Sequence, residues 1–445
     1  MTPPIEKTML TLGEITKEMR ETFQNFIDPR TGKNKMYSMV DAALSAFSIF
    51  FMQSPSFLEY QRTLEQTHGR NNAHSLFGTH EIPSDNQIRN LLDHTPPTAV
   101  EPMFTYIFNK LNDVGLIEKY RSRLGKLLLI LDGTEYFSSK TIHCECCSTK
   151  RHANGSTTYH HSALTPVLVK ADCDQVIPLF PEFIQPQDGA GKQDCELNAA
   201  KRWLAANGEK FAQLGTLVGG DDLYSREPLC LQLLELKLDF IFVCKPSSHP
   251  TTQEWLDFLE SQGTIRHLTR RRWTGKRHET DTYRYVNEVP LRDGEDALKV
   301  NWCEITTVND KGKVLYQNSF ITSLAINEQN VIEMIQAGRN RWKIENENNN
   351  ILKTKGYHFE HNYGHGKHFL SSLLATLIIL AFLIHTVLEW MDSQYQLLRQ
   401  KAPSRRRFFE DIRILTSYLY FNSWNALMEF MLQSFNSHAK PLESG

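Results

Sequence analysis

The sequence predicts an α/β protein: a sheet-and-helix core interrupted by a β-rich insertion, with helical regions before and after it. Three observations carry that prediction. Short apolar runs of strand length begin at Leu127, helical stretches separate the later ones, and from Pro246 to about Ser323 the pattern changes to alternating, strand-like segments. The chain has 445 residues, 40% of them hydrophobic and 22% charged, so it can bury a large core and lacks the composition of a disordered protein.

Residues 1–35 are polar, end in Lys33-Asn34-Lys35 and read as an irregular lead. Met36–Met52 reads as a strongly apolar helix closed before Pro55, and a second helical piece covers Phe57–Gln66. Ser84 with Gln87 three residues later is a capping-box signature, opening a helix that stops before Pro96. Residues 1–120 are therefore expected to be helical.

Leu127–Leu131 is continuous and apolar and runs into Asp132-Gly133, which predicts a buried strand entering a turn. Further strands are expected at 163–169, 176–180, 214–218 and 240–244. Helices are expected at Glu196–Leu204, continuing towards Leu214, and at Pro228–Lys237. Three strands followed by helix-strand-helix-strand is the order of an RNase H-like sheet. The core then spans 121–245, breaks for the insertion at 246–325, and resumes at 326–392 with a long helix over about Gln329–Lys355; residues 393–445 form a basic, aromatic helical tail. Insertion strands are expected at Val300–Thr307 and Lys313–Leu324. The run Phe369–Leu388 has the length of a membrane span, but Ser371, Ser372, Thr376 and His385 interrupt it, and a buried core helix is the better reading.

The formal net charge of −2 does not advertise a nucleic-acid partner, although a DNA enzyme can be basic in stripes only. The Met1 end carries no signal-peptide pattern and the eight cysteines form no even framework, so reduced thiols in a cytosol are expected.

Asp132 and Asp221 fall at the ends of expected strands, where ligands gather in open α/β sheets, and Glu345 falls on a helix with Arg341 four residues before it. Three such carboxylates suit two divalent cations and in-line displacement at phosphorus. Taken singly, each is an ordinary turn, loop or helix residue. Together, the phrase GRNRWKIENENNNILKTKG with LDGTEYF and GGDDLYS resembles the DDE transposases of bacterial insertion sequences, and more narrowly the insertion-sequence-four group marked by a Tyr-Arg-Glu-Lys signature. The resemblance covers about residues 80 to 390. It rests most on Arg341, Trp342, Ile344 and Glu345, then on the Asp-x-x-Tyr of Asp221–Tyr224, which selects Asp221 over Asp222, and on Asp132-Gly133. It departs in two places: Gly338 stands where the signature Tyr belongs, and the Lys, at Lys353, comes one position late.

That resemblance implies a retroviral-integrase-type catalytic core whose Asp132, Asp221 and Glu345 hold two Mg²⁺ or Mn²⁺ ions, with Arg341 and Lys353 on phosphates. It implies cleavage at transposon ends, strand transfer into double-stranded target DNA, a homodimer or larger synaptic oligomer, and a bacterial, cytoplasmic, nucleoid-associated setting. The alternative is a catalytically inactive or domesticated DNA-binding protein of the same fold. Glu135 and Glu347 are rival carboxylates; Glu347, two residues from Glu345, is turned away on a helix.

Two further groups stand out. The basic run Arg266, Arg270, Arg271, Arg272, Lys276 and Arg277 includes Trp273, and is read as a DNA-backbone contact with an aromatic for an unpaired base, Trp273 or Trp302. Arg405-Arg406-Arg407 is a second basic patch. Cys144-x-x-Cys147 with His152 offers a zinc set, in a region where His143, Cys146, His160 and His161 compete for the same role; the alternative is a reduced-thiol turn.

Overall fold

A computed structural model describes residues 10–32, 35–186 and 194–436. Among them thirteen strands occur: β1 (Leu127–Ile130), β2 (Gly133–Ser139), β3 (Ser148–Arg151), β4 (Thr157–Leu164), β5 (Val167–Lys170), β6 (Cys173–Pro178), β7 (Glu182–Ile184), β8 (Thr216–Gly220), β9 (Asp239–Val243), β10 (Arg266–Trp273), β11 (His278–Pro290), β12 (Lys299–Asn309) and β13 (Val314–Thr322). The chain divides into two compact units built from interleaved segments: residues 10–115, 135–162 and 349–436 in one, and 116–134 and 163–348 in the other.

The second unit is organised by a nine-stranded mixed sheet in the order β10-β11-β12-β13-β9-β8-β1-β5-β6. β1 is parallel to β8 and β8 to β9, whereas β5 runs antiparallel to β1 and β6 antiparallel to β5. Every residue of β1 and β8 is buried, which is why β1 reads as an unbroken apolar run rather than an alternation. The run expected as one strand at 163–169 is split. Pro166 has no N–H to give a ladder, and the preceding Thr165 amide turns to the Asp132 carbonyl at 3.0 Å, so β4 ends and β5 starts afresh. The helix Glu196–Gln213 runs on towards Leu214 as the sequence indicated and closes at Gly215, whose φ of +66° reverses the chain into β8.

The insertion holds more structure than its sequence advertised. A helix occupies Pro250–Ser261, and the basic run is the antiparallel hairpin β10–β11 rather than an irregular stretch. β12 and β13 complete the meander and β13 joins β9, so the insertion extends the same sheet. β11 follows the two-residue rhythm, burying Glu279, Asp281, Tyr283 and Tyr285 on one face. The long helix expected over 329–355 is broken into a helix Val331–Arg339, a π-helical turn Ile344–Asn349 and a short helix Asn350–Thr354. Asparagine-rich sequence explains the break, since such side chains compete for backbone groups; Asn346 Nδ2 donates to the Trp342 carbonyl at 3.3 Å.

The first unit is mainly helical. Its first helix, Leu12–Phe23, lies in the segment read as an irregular lead, and the overlooked signal was a capping box. Thr11 Oγ1 accepts the Glu14 amide at 3.3 Å and Glu14 Oε2 accepts the Thr11 amide at 2.9 Å, while Leu12, Ile15, Met19 and Phe23 bury one stripe. Met39–Phe51 is buried along its whole length and packs on Leu370–Met391, the helix long and apolar enough to cross a membrane, which is 94% buried within the protein over its most apolar window. The start of Leu370–Met391 is held by Asp93, whose carboxylate accepts the amides of Lys367, His368 and Leu370 at 2.9–3.2 Å. Burial acts against that carboxylate's charge, yet the backbone donors hold its pKa below the ordinary value. In the tail, half-buried Arg405 pairs with Glu389 at 2.7 Å, and Arg406 and Arg407 pair with Glu410 and Asp411. The expected second basic patch is thus largely neutralised.

Candidate active site

Register places the first two carboxylates. β1 and β8 pair in parallel with Ile130 opposite Gly219, so two residues further on Asp132 and Asp221 leave the strands side by side at their C-terminal ends. Adjacent strands lie about 4.8 Å apart, and the Leu131 amide still reaches the Gly219 carbonyl at 2.9 Å.

Asp221 and Asp222 have separate tasks. Asp221 Oδ1 accepts the Leu223 amide at 2.8 Å, shaping its own turn. Asp222 is buried, and its Oδ1 accepts the Lys245 amide at 2.6 Å and lies 3.8 Å from His249 Nε2, which pins the end of β9. Burial holds the His249 pKa below its ordinary value, and the same nitrogen meets Ser225 Oγ at 2.6 Å. Asp222 is therefore committed to structure, which leaves Asp221 as the residue at the strand end.

A fourth carboxylate belongs to this site, and sequence reasoning missed it. Glu196, in the first turn of Glu196–Gln213, accepts the Gly133 amide at 2.9 Å and the Tyr224 hydroxyl at 2.5 Å through one oxygen, Oε1. A Cβ at position 133 would collide with the Glu196 carboxylate, and one at 220 would come within 2.7 Å of the Tyr224 ring. Both glycines are needed for this close approach. Tyr224, the Tyr of Asp-x-x-Tyr, is completely buried, so its hydroxyl is fixed. The only sequence signal for Glu196 was an acidic residue at a helix start, which is too common to single out.

Asp132 is half-buried and its pKa is raised to about 7, first by burial, then by Glu196, with Asp221 and Glu345 adding to the rise and Arg341 opposing it. The three expected carboxylates and Arg341 thus share one electrostatic neighbourhood. Glu345 sits on the π-helical turn, a local distortion often found at functional sites, with its side chain 66% exposed and Arg341 Nη2 at 3.8 Å. Glu347 has another environment: burial raises its pKa, with Asp174 adding and Lys343 opposing. Glu135 acts on His160.

The departures from the signature have physical counterparts. A Cβ at Gly338 would meet the Phe320 ring at 2.5 Å, so the helix Val331–Arg339 packs too closely on β13 for a tyrosine there. Lys353 lies in the other unit, bridged to Glu360 at 3.0 Å. In the insertion, Arg272 is paired with Asp281 and Glu279 at 2.8 and 2.6 Å and Arg277 with Glu279 at 3.0 Å, which reduces their availability; Arg271 and Lys276 make no ion pair among the described residues. Trp273 is 60% exposed at the hairpin end, whereas Trp302 is 3% exposed under Arg284, so only Trp273 is placed to stack on a ligand.

The hard oxygen donors at the strand ends have the chemistry that Mg²⁺ or Mn²⁺ prefers, and burial first, then the neighbouring carboxylates, raise the proton affinity of Asp132. Among the described residues, however, three carboxylates do not close on one point. The set whose ligand atoms all lie within 4.8 Å of one another is Cys144, Cys147, His161 and His365. His152, the expected partner of the two thiols, stands apart with Nε2 on Thr158 Oγ1 at 2.7 Å.

No protein-family model matches the chain, and no curated protein matches it. Among solved structures it is similar to a cryo-EM structure of a piggyBac transposase synaptic complex with hairpin DNA. The TM-score is 0.42 and the identity 10%, covering 98% of this chain and 84% of that one. So distant a likeness transfers no residue roles.

Proposed function

We propose that this chain is a DNA transposase of the DDE type, with an RNase H-like core, acting through Asp132, Asp221 and Glu345. The fold reading is supported by the strand run β6-β5-β1-β8-β9, in which the second and third strands in chain order are antiparallel additions and the last two are parallel to β1. The functional reading is carried by one observation: Asp132 and Asp221 leave neighbouring parallel strands in register, within the electrostatic reach of Glu345 and Arg341.

Asp132, Asp221 and Glu345 would hold Mg²⁺ or Mn²⁺, which when bound as a pair activates the attacking oxygen and stabilises the leaving one. Glu196 fixes the Asp132-Gly133 turn and the Asp221–Tyr224 turn to one another through Gly133 N and Tyr224 Oη, so the two aspartates keep a set spacing. Arg341, 3.8 Å from Glu345, would meet a phosphate oxygen there. Arg271, Lys276 and Trp273 present charge and an aromatic face suited to the DNA backbone and an unpaired base. The partner on this reading is double-stranded DNA bearing the element's ends, held by an oligomer.

The test is cleavage and strand transfer on DNA carrying the sequences that flank this gene, with Mg²⁺, comparing the native chain with Glu345→Gln. Nicks at the element ends and joined products are expected from the native chain alone. Cleavage at the native rate by Glu345→Gln removes the assignment of Glu345. Specific binding of the ends with no cleavage by either protein favours a DNA-binding protein that keeps the fold without its activity.

A further inference from the structure

We propose that Cys144, Cys147, His161 and His365 form a structural zinc site, independent of the carboxylate site. The argument starts from distances. With Zn–S of about 2.3 Å and Zn–N of about 2.05 Å, a tetrahedral ion sets S···S at about 3.8 Å and S···N at about 3.5–3.6 Å. The Cys144 and Cys147 sulfurs are 3.8 Å apart; His161 Nε2 is 3.5 Å from the first and 3.4 Å from the second, and His365 Nε2 is 3.4 Å from Cys147 Sγ. The remaining separations stay within 4.8 Å. The four side chains thus already stand close to the edges of a zinc tetrahedron.

The chemistry of the set agrees. Two thiolates and two neutral imidazoles neutralise a divalent ion, so the filled site carries no net charge and suits a buried location. Binding releases the two thiol protons to solvent and changes no oxidation state. Sulfur and imidazole nitrogen in a tetrahedron select zinc over the hard cations that carboxylates prefer. Four protein ligands leave no position for water or substrate, which makes the site structural.

The surroundings fix the ligands. Cys144 and Cys147 lie in one tight turn, with the Cys147 amide on the Cys144 carbonyl at 3.2 Å and the Cys144 amide directed at Cys147 Sγ at 3.4 Å, an N–H···S contact that favours thiolate. The His161 ring, on β4, stacks on Tyr136 with centroids 5.8 Å apart and planes at 14°, and the His365 ring packs on Phe137 at 4.5 Å. Cys146 is outside the set, directed at the His368 carbonyl at 3.5 Å. The ligands come from the turn before β3, from β4, and from the irregular segment before Leu370–Met391, a segment in which His358 and Gly366 have φ of +51° and +68°. A zinc ion would staple that segment to the antiparallel pair β3–β4, where few backbone ladders hold it.

The test uses the full chain, purified without chelators and analysed for metal by mass spectrometry. About one zinc per chain is expected in the native protein and His152→Ala, and under about a tenth of that in Cys147→Ser and His365→Ala. Because loss of zinc could follow from misfolding, the native chain is also loaded with Co²⁺, which should show the visible bands of a tetrahedral ion and a sulfur charge-transfer band. His365→Cys should retain the ion and raise that band by about half, as thiolates go from two to three. Native protein supplied with zinc that retains under about a tenth of an equivalent overturns the site. So does full zinc in Cys147→Ser, or a cobalt spectrum unchanged by His365→Cys.

Discussion

The two ligand clusters of this protein are opposites in how their charges and geometry are balanced. At the strand ends, Asp132 is surrounded by Glu196, Asp221 and Glu345 with Arg341 opposing them, and burial together with these anions raises its proton affinity. Around Cys147, soft ligands from separate segments stand at tetrahedral spacing, and their charges close with a single divalent ion. The first arrangement leaves Glu345 exposed and the acidic oxygens unconverged, so it suits ions and phosphates that arrive together with a substrate. The second has no vacant position and suits an ion that stays. On the two proposals, carboxylates would serve turnover and thiolates architecture.

The largest effect that can break this division is on activity. Asp132→Asn or Asp221→Asn should lower DNA cleavage by on the order of 10³-fold, about 4 kcal/mol of transition-state stabilisation, with a cooperative unfolding transition retained. Single-turnover cleavage assays and calorimetry on the same preparations measure both. Near-native cleavage by either variant would move the chemistry elsewhere. Zinc removal should do the reverse. With zinc a thousandfold above its Kd, chelation should cost about 4 kcal/mol of stability, seen as a fall in melting temperature that added zinc restores. A melting temperature indifferent to chelator would reduce the cluster to packed thiols and rings.

Asp222 sharpens the comparison within a single dipeptide. Asp222→Ala leaves the Lys245 amide without its buried acceptor and should cost about 1–3 kcal/mol of stability, with cleavage by the folded fraction within a few-fold of native. Loss of cleavage without loss of stability would exchange the roles of the two aspartates.

How much of this was legible depended on the range of the interaction. β1 was visible because a strand buried on both faces needs a continuous apolar run, and its end marked Asp132. The Asp221–Tyr224 and Arg341–Glu345 segments were visible because their spacing is local. Glu196 was not, since its importance lies in reaching Gly133 and Tyr224, 63 and 28 residues away in sequence. His365 was hidden for the same reason, lying 218 residues from Cys147, and His152 was chosen instead because it was near. The hairpin β10–β11 was obscured by its composition: Arg270, Arg271 and Arg272 look like a solvated loop until Glu279 and Asp281 are seen buried across from them.

The pH dependence of stability tests whether the anionic crowding around Asp132 is real. Its ordinary pKa is 3.8 and the folded value is about 7, so between these pH values the unfolded chain has released a proton that the folded chain keeps. Stability depends on pH with the sign of protons bound unfolded minus folded, which is negative here. In the absence of divalent ions, the Asp132 contribution is therefore fully present below about pH 4 and is lost as pH rises towards 7. Asp132→Asn should remove that slope, and because other groups titrate in the same window, the difference between native and variant in chemical denaturation is the quantity to follow. Glu196→Gln should retain part of it, since Glu196 is the largest contributor to the rise after burial and its loss lowers the upper edge of the window. Parallel pH profiles for all three proteins would mean that Asp132 is an ordinary solvated carboxylate, and would take away the electrostatic contrast between the two clusters.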